Sequence, residues 1–187
     1  MKTTRGPALI VILTFGALLA VHFIPADQEG APSENLLNNG SFEGDFGERG
    51  VPEGWQLYGG LDQARRLGVA AEAHDGRTAL VITDGDPGTE IGIMQTIPVQ
   101  PGECYEASVW VRTDDIATSA GSYLQFRFLP SNKFFQRSLR PGEDGRYRRI
   151  HVKGVAPENT EHARIYLYTH RTPTPKVVVD NVTLIAG

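Results

Sequence analysis

Residues 105–112 read Tyr-Glu-Ala-Ser-Val-Trp-Val-Arg, and this stretch decides the class of fold. Every second side chain, from Tyr105 to Val111, is apolar or small. The side chains between them run from Glu106 to Arg112 and are mostly polar. Because successive side chains of a β-strand point to opposite faces, this period of two predicts a strand with one face in a core and one face outward.

The same alternation recurs at 123–128 and 163–170, where the inward positions are again apolar. These inward positions are Leu124, Phe126, Phe128, Ala163, Ile165 and Leu167. Further strands are predicted at 79–83, 91–99, 146–153 and 177–185. Turns rich in Gly, Pro and Asp separate the segments, and no amphipathic helix is found after Pro25. Many short strands joined by such turns predict an all-β sandwich or barrel.

The N-terminal segment has a different character from the rest of the chain. Lys2 and Arg5 precede an apolar run from 8 to 24. As a helix this run would be about 25 Å long, which is at the short end of a membrane span. Residues 1–26 are therefore predicted to be a helical signal peptide or an N-terminal membrane anchor through 8–24. In both cases the remainder of the chain would lie outside the cytoplasm, secreted or anchored.

Residues 27–34 are polar with Gly and Pro and are predicted to be a linker, which leaves 35–187 as the folded domain. The chain has a formal net charge of −4, and this balance argues against a general nucleic-acid binder. Its one Cys excludes an intramolecular disulfide framework and a Cys-rich zinc site. Of the 18 basic residues, 14 are Arg.

Several short motifs occur in order along the predicted domain. They are NLLNNGSFE at 35–43, PEGW at 52–55, HDGRTAL at 74–80, IPV at 97–99 after Gln95, PGECYEASVWVR at 101–112 and VDNVTL at 179–184. Together they resemble carbohydrate-binding modules of the family 4/9 and family 22 type, which have the galactose-binding-like jelly-roll fold. The resemblance spans essentially all of 35–187 and implies two stacked antiparallel sheets.

The resemblance also implies a structural calcium ion. In such modules the ligands correspond to the carboxylates of Glu43 and Asp180 and to backbone carbonyls of the loop from Asp75 to Arg77. A hard cation of this kind takes six to eight oxygen ligands. In the alternative interpretation no ion is present, Glu43 caps a turn, and Asp180 accepts backbone hydrogen bonds.

No catalytic motif emerges from the sequence. It contains no His-Glu-x-x-His, no Gly-x-Ser-x-Gly and no phosphate-binding Gly-Lys-Ser/Thr loop, and its five His show no metal-ligand spacing. Acids such as Glu103 and Glu106 could pair in space for glycoside hydrolysis, but the sequence alone cannot place them together. We therefore expect a non-catalytic protein and keep a small glycan-active enzyme as an alternative.

The alternation also predicts a ligand surface on the outward face of the central strands. Its candidate residues are Trp110, Arg112, Gln125, Arg127, Tyr166, Tyr168 and His170. Flat aromatic rings stack on the apolar faces of sugars, while Arg and Gln hydrogen-bond sugar hydroxyls. In the alternative interpretation, loops cover Trp110 and the two Tyr, which form a second small cluster. Trp55 is expected to be a core residue.

The arginines of this surface suggest an acidic glycan, since a guanidinium pairs with a carboxylate through two parallel hydrogen bonds. A general preference for Arg over Lys would explain the same residues. The leading hypothesis is an exported polysaccharide-binding module that acts alone or with a partner enzyme. The second is a structural or adhesive cell-envelope protein that uses the sandwich for protein contacts.

Overall fold

The computed structural model describes residues 33–63, 65–86, 88–113, 121–139, 144–170 and 172–187, without the side chain of Pro175. The predicted signal or anchor segment and most of the predicted linker lie outside these ranges. Pro32–Gly187 is one compact unit. Within the described ranges no helix is long and apolar enough to span a membrane.

Ten strands form two antiparallel five-stranded sheets that pack as a sandwich. In chain order they are β1 (Gln56–Gly59), β2 (Arg65–Ala70), β3 (Ala79–Asp84), β4 (Ile91–Pro98), β5 (Cys104–Arg112), β6 (Ser122–Leu129), β7 (Phe134–Ser138), β8 (Arg148–Val155), β9 (His162–Thr169) and β10 (Thr174–Ala186). Sheet I has the order β1-β4-β9-β6-β7, and sheet II has the order β2-β3-β10-β5-β8. The all-β class predicted from the alternation is confirmed, and so are the two stacked antiparallel sheets that the resemblance implied.

The seven predicted strands all appear as β3, β4, β5, β6, β8, β9 and β10. The sequence did not reveal β1, β2 and β7, which are four, six and five residues long. Each of the three is an outermost strand of its sheet. An outermost strand is partly exposed on both faces, so its side chains need not alternate strictly.

The inward side chains of the two sheets meet in one hydrophobic core. On β5, Tyr105, Ala107, Val109 and Val111 are at most 2% exposed, as the alternation predicted. The inward positions of β6 and β9 are fully buried against them. Trp55 is also buried and packs on Phe42 with ring centroids 5.7 Å apart, so its expected core position is confirmed.

Strand register sets the two outward surfaces. In sheet I, β6 pairs with β9 so that Gln125 lies opposite Tyr166 and Tyr123 opposite Tyr168. In sheet II, β5 pairs with β8 so that Trp110 lies opposite Arg149. Directly opposite residues in an antiparallel pair project to the same face. Each sheet therefore presents its own row of polar and aromatic side chains to the outside.

Candidate functional site

The seven side chains predicted to share one ligand surface are divided between the two sheets. Five lie on or directly after β6 and β9 in sheet I: Gln125, Arg127, Tyr166, Tyr168 and His170. Trp110 and Arg112 lie on β5 in sheet II. The predicted grouping on one face is wrong, because alternation identifies the side of a strand but not the sheet that the strand joins.

The outward face of sheet I concentrates aromatic and amide side chains, and we call it the tyrosine face. It is defined by Tyr58, Tyr123, Gln125, Arg127, Phe134, Gln136, Tyr166 and Tyr168. These residues form rows across the strands. One row places Tyr166, Gln125 and Gln136 side by side, and the next places Arg127 opposite Phe134.

The tyrosines pack against one another and form the floor of this face. The ring of Tyr58 meets those of Tyr166 and Tyr168 edge-on, at centroid distances of 5.1 and 5.6 Å. Tyr123 lies 5.7 Å from Tyr168 on the other side. Tyr166 and Tyr168 are consequently only 7% exposed. Tyr166 and Tyr168 thus form a small cluster, as the alternative interpretation proposed, but with Tyr58 and Tyr123 and without Trp110.

Amide and hydroxyl groups are linked across the middle of the face. The Gln136 carbonyl oxygen accepts hydrogen bonds from Gln125 Nε2 at 2.8 Å and from the Tyr168 hydroxyl at 3.1 Å. Arg127 Nη2 donates to Gln125 Oε1 at 3.2 Å. These bonds leave the Nε2 group of Gln136 with no hydrogen bond to the described residues, and Gln136 is exposed. That group is therefore a donor that a ligand can reach.

Phe134 is the most exposed ring on this face, at 53%. The Arg127 guanidinium lies 5.6 Å from the centroid of Phe134 and 5.8 Å from that of Tyr166, which is cation–π distance. The sequence analysis missed Phe134 and Gln136 because β7 was not predicted. The one signal was the turn at 130–131 immediately before it, because the adjacent Phe134 and Phe135 show no alternation of hydrophobicity.

Glu90 and His170 close one end of the tyrosine face. The Tyr58 hydroxyl donates to Glu90 Oε2, and His170 Nδ1 lies 2.6 Å from Glu90 Oε1. Burial, followed by this hydrogen bond, raises the pKa of Tyr58. Burial also raises the pKa of Tyr168 to about 12, and the Glu90 charge adds to the effect. Both phenols are therefore neutral hydrogen-bonding groups near neutral pH.

Gly92 on β4 allows the backbone of β9, which carries Tyr168, to approach closely. It lies opposite Tyr168 in the pairing of β4 with β9. A Cβ atom at this position would lie 2.0 Å from the Leu167 carbonyl oxygen and 2.6 Å from the Tyr168 Cα. Both are backbone atoms, so no side-chain rotation can relieve the overlap. The position therefore needs a residue without a side chain.

Trp110 and Arg112 belong to a covered cluster on sheet II. The His74 ring stacks on Trp110 at 3.8 Å with an interplanar angle of 14°, and Tyr147 meets His74 edge-on. Arg112 Nη1 lies 2.7 Å from Glu72 Oε2, and the Arg112 Cζ lies 5.5 Å from the Tyr147 ring centroid. Trp110 is thus covered by the loop that carries His74, as the alternative interpretation proposed.

The carboxylates predicted to bind calcium are arranged as hydrogen-bond acceptors. Glu43 Oε1 accepts from the backbone amides of Arg77 and Thr78 at 2.7 and 2.8 Å, which lowers the pKa of Glu43. Asp180 is fully buried and accepts from the amides of His74, Asp75 and Asn181.

Burial raises the pKa of Asp180 in spite of these three bonds. Within the described ranges, no three His, Cys, Asp or Glu side chains come together in a way that could hold a metal ion. The two carboxylates and the carbonyls of the loop from Asp75 to Arg77 are nevertheless oxygen donors of the kind that calcium takes. Calcium at this position stays a prediction.

The acids considered for glycoside hydrolysis do not lie on the tyrosine face. Glu103 precedes β5 and accepts a hydrogen bond from the Tyr105 hydroxyl at 2.9 Å. Glu106 lies on the outward face of sheet II beside Arg149, His151 and Lys153. Glu90 is the acid that the described residues bring to the tyrosine face, where it is bound to Tyr58 and His170.

Residues 34–125 match the family model described as carbohydrate binding domain. This match covers about half of the chain and confirms the resemblance indicated by the ordered motifs. A comparison with curated proteins finds no match.

Solved structures share the fold at low sequence identity. A cyclase from Fischerella sp. TAU has a TM-score of 0.65 at 17% identity, covering 83% of this chain and 98% of that one. TmCBM61 in complex with beta-1,4-galactotriose has a TM-score of 0.56 at 16% identity, covering 83% and 100%. The enzymatically active domain of bacteriophage CBA120 tailspike protein 4 has a TM-score of 0.60 at 15% identity, and this chain spans 21% of its length. At these identities the likeness shows the fold alone.

Proposed function

We propose that this chain, which matches the carbohydrate binding domain family over residues 34–125, is an exported, non-catalytic module that binds a saccharide on the tyrosine face. One observation carries the proposal: a single sheet face combines an exposed Phe134, an Arg127 packed on rings and a free amide donor on Gln136. Sugars offer apolar C–H patches and hydroxyl groups, and these side chains complement both.

The contacts with the saccharide would come from the edge of the face rather than from its floor. Tyr166 and Tyr168 are nearly buried, so their rings support the surface and have little area left for stacking. Phe134 provides an open ring, while Gln136 and Arg127 provide donors beside it. This arrangement resembles a shallow binding surface in which a rigid floor holds a few exposed contacts in place.

A saccharide-retention assay tests this function directly. Immobilised β-1,4-galactan serves as one neutral probe because TmCBM61 was solved with β-1,4-galactotriose, and other neutral and acidic glycans complete the panel. For the wild-type chain we expect retention of at least one glycan. Phe134→Ala should weaken this retention about tenfold, since loss of a stacked ring corresponds to roughly 1.4 kcal/mol.

Val69→Ala is the matched control, because Val69 is 50% exposed but lies on β2 in sheet II. Neither substitution should shift the thermal midpoint appreciably, since exposed side chains contribute little to stability. Failure of the wild type to retain any glycan would overturn the proposal and favour the envelope protein that uses the sandwich for protein contacts. Equal retention by both variants would show that the saccharide does not bind on the tyrosine face.

The same proposal includes a structural calcium ion held by Glu43 and Asp180 with the backbone of Asp75 to Arg77. Calcium would tie the first and last segments of the domain to the loop that carries His74. Its removal should therefore lower the thermal midpoint. A midpoint that is identical with added calcium and with chelator would show that the amide hydrogen bonds at these carboxylates suffice alone.

A further inference from the structure

The outermost strands β7 and β8 border a cleft at the open side of the sandwich. The cleft has a volume of about 370 Å³ and is lined by Arg137, Ser138, Arg149, Ile150 and His151. Its size falls within the roughly 300–1,000 Å³ of small-ligand sites. It lies apart from the tyrosine face, because Arg137 projects from β7 on the side opposite to Gln136 and Phe134.

The sequence and the register together place positive charge around this cleft. Arg149, His151 and Lys153 alternate along β8 and project to the same outward side, beside Glu106 on β5. Glu106 Oε1 lies 3.1 Å from Arg149 Nη2 and 3.4 Å from His151 Nδ1, and Glu106 Oε2 lies 2.7 Å from Lys153 Nζ. A single carboxylate is thus shared by two permanent cations and one histidine.

Arg137 adds a third permanent cation from the opposite strand. Its one hydrogen bond to the described residues runs from Nε to the His151 carbonyl oxygen, at 3.5 Å. Its two terminal nitrogens are therefore available, and the side chain is exposed. Among the described residues the lining contains no acidic side chain, and Glu106 is the acid that these residues place beside it.

We propose that this cleft, the cationic cleft, binds the carboxylate or sulfate group of an acidic saccharide. A guanidinium presents N–H donors in a planar fork that matches both groups through two parallel hydrogen bonds. Arg137 offers the fork of its two terminal nitrogens. Arg149 donates through Nε to Ser108 Oγ and through Nη2 to Glu106 Oε1, both at 3.1 Å, and adds its Nη1 group, while Ile150 contributes apolar surface to the same lining. The choice of a saccharide rather than another anion rests on the proposed function, whereas the choice of an anion rests on the cleft alone.

The test compares oligosaccharides that differ only in charge, using the whole chain and affinity electrophoresis or calorimetry. β-1,4-Galacto-oligosaccharide is the neutral probe, oligogalacturonate carries carboxylates, and a sulfated galacto-oligosaccharide carries sulfates. We expect the wild type to bind at least one acidic probe, with an affinity that falls as NaCl is raised. Arg137→Gln and Arg149→Gln should each weaken that binding about tenfold, as expected for loss of a charge-assisted hydrogen bond.

Arg66→Gln is the matched control, because it removes one exposed Arg and changes the net charge equally on β2. It should change the affinity for the acidic probes less than twofold. Weakening by Arg66→Gln as large as that by Arg137→Gln would mean that overall charge is responsible, and would overturn the cationic cleft.

The two proposals fail in distinguishable ways. Binding of the neutral probe without binding of either acidic probe would overturn the cationic cleft and support the tyrosine face. Acidic binding that depends on Arg137 and Arg149, without retention of any neutral glycan and with no effect of Phe134→Ala, would support the cleft and remove the tyrosine face as a saccharide site. If no probe binds at all, both proposals are overturned.

Discussion

The tyrosine face and the cationic cleft place arginine in two different environments. Arg127 lies over Phe134 and Tyr166 and donates to Gln125, so its guanidinium contacts aromatic rings and an amide. Arg149, in contrast, shares the Glu106 carboxylate with two other basic side chains, and Arg137 has no carboxylate partner among the described residues. An arginine packed on rings serves as part of a platform, whereas an exposed one with unused donors serves as an anion receptor.

This difference changes which arginines would recognise an acidic ligand. From the sequence, Arg112 and Arg127 were predicted to bind an acidic glycan because they share a predicted strand face with aromatic residues. In the structure Arg112 is paired with Glu72 and packs on Tyr147, and Arg127 is packed on rings. Arg137 on β7 and Arg149 on β8 keep N–H donors without a partner among the described residues, and both lie on outermost strands of the two sheets.

The largest effect is predicted for a substitution at Gly92 on β4, which should disrupt the tyrosine face. Gly92→Ala would place a Cβ 2.0 Å from the Leu167 carbonyl oxygen, and backbone atoms cannot rotate away. We expect a loss of roughly 3 kcal/mol or more in the free energy of unfolding, together with loss of saccharide retention. Denaturant unfolding followed by tryptophan fluorescence measures the first quantity.

Gly68→Ala on β2 is the matched control, since its Cβ would meet only the Val81 Cβ, at 4.0 Å. This variant should be neutral or more stable by a few tenths of a kcal/mol, because glycine weakens a strand interior. Equal stability of the two variants would show that the close approach of β9 to β4 does not require glycine at position 92.

The alternation predicted the core well because it follows directly from strand geometry. Tyr105, Val109 and Val111 are buried as expected, since successive side chains of one strand must point to opposite faces. The same rule carries no information about which strands become neighbours. Consecutive strands β5 and β6 enter different sheets, and this separates Trp110 from Tyr166.

The functional surfaces were harder to predict because they depend on outermost strands and on contacts between sheets. Phe134 lies on a five-residue strand in which Phe135 occupies the opposite face, so hydrophobicity shows no alternation there. The cationic cleft requires β7 of sheet I to lie near β8 of sheet II, and a one-dimensional pattern does not contain that proximity. The resemblance to known modules supplied the sandwich but not the position of either surface.

An intermediate effect on stability is predicted at high pH, where buried tyrosines of the two sheets can be compared. The pKa of Tyr168 is raised to about 12 by burial, so the folded state holds its proton more tightly than the unfolded chain does. Its contribution to stability is therefore complete below pH 10 and is lost as the pH rises toward 12. At roughly 1.4 kcal/mol for each pH unit between pH 10 and pH 12, the full loss is about 3 kcal/mol, of which about 2 kcal/mol should be seen by pH 11.5.

Denaturant unfolding between pH 8 and pH 11.5 measures this loss, and Tyr168→Phe should have a flatter profile than the wild type. Tyr147 is the corresponding residue on the sheet II side, where burial also raises the pKa to about 12 but the Arg112 charge opposes the rise. Tyr147→Phe therefore allows the two environments to be compared in one experiment. A Tyr168→Phe profile as steep as that of the wild type would contradict the assignment of the alkaline loss to the tyrosine face.

The smallest effect on stability is predicted for Glu106→Gln beside the cationic cleft. This substitution should nevertheless distinguish most clearly between ligand binding at the cleft and at the tyrosine face. The hydrogen bond from Lys153 is the main cause that holds the pKa of Glu106 below its usual value, and the nearby Arg149 and His151 add to it. The carboxylate therefore stabilises the fold above its unfolded pKa of about 4.5, and this contribution disappears as the pH falls through the lower folded value. At pH 7 the substitution should cost about 1 kcal/mol, and the difference from the wild type should close as the pH falls below the lowered pKa of Glu106.

The same substitution also removes the negative charge shared by Arg149, His151 and Lys153, so oligogalacturonate should bind about threefold more tightly at low salt. Neutral galacto-oligosaccharide should bind as it does to the wild type, because it would contact the tyrosine face. Glu72→Gln is the control: it removes an acid in the loop after β2 that is 76% exposed and paired with Arg112, so its loss should change stability little. Equal gains in acidic binding from Glu72→Gln and Glu106→Gln would show that the ligand senses the charge of the whole domain, whereas a gain confined to Glu106→Gln would locate the anion at the cationic cleft.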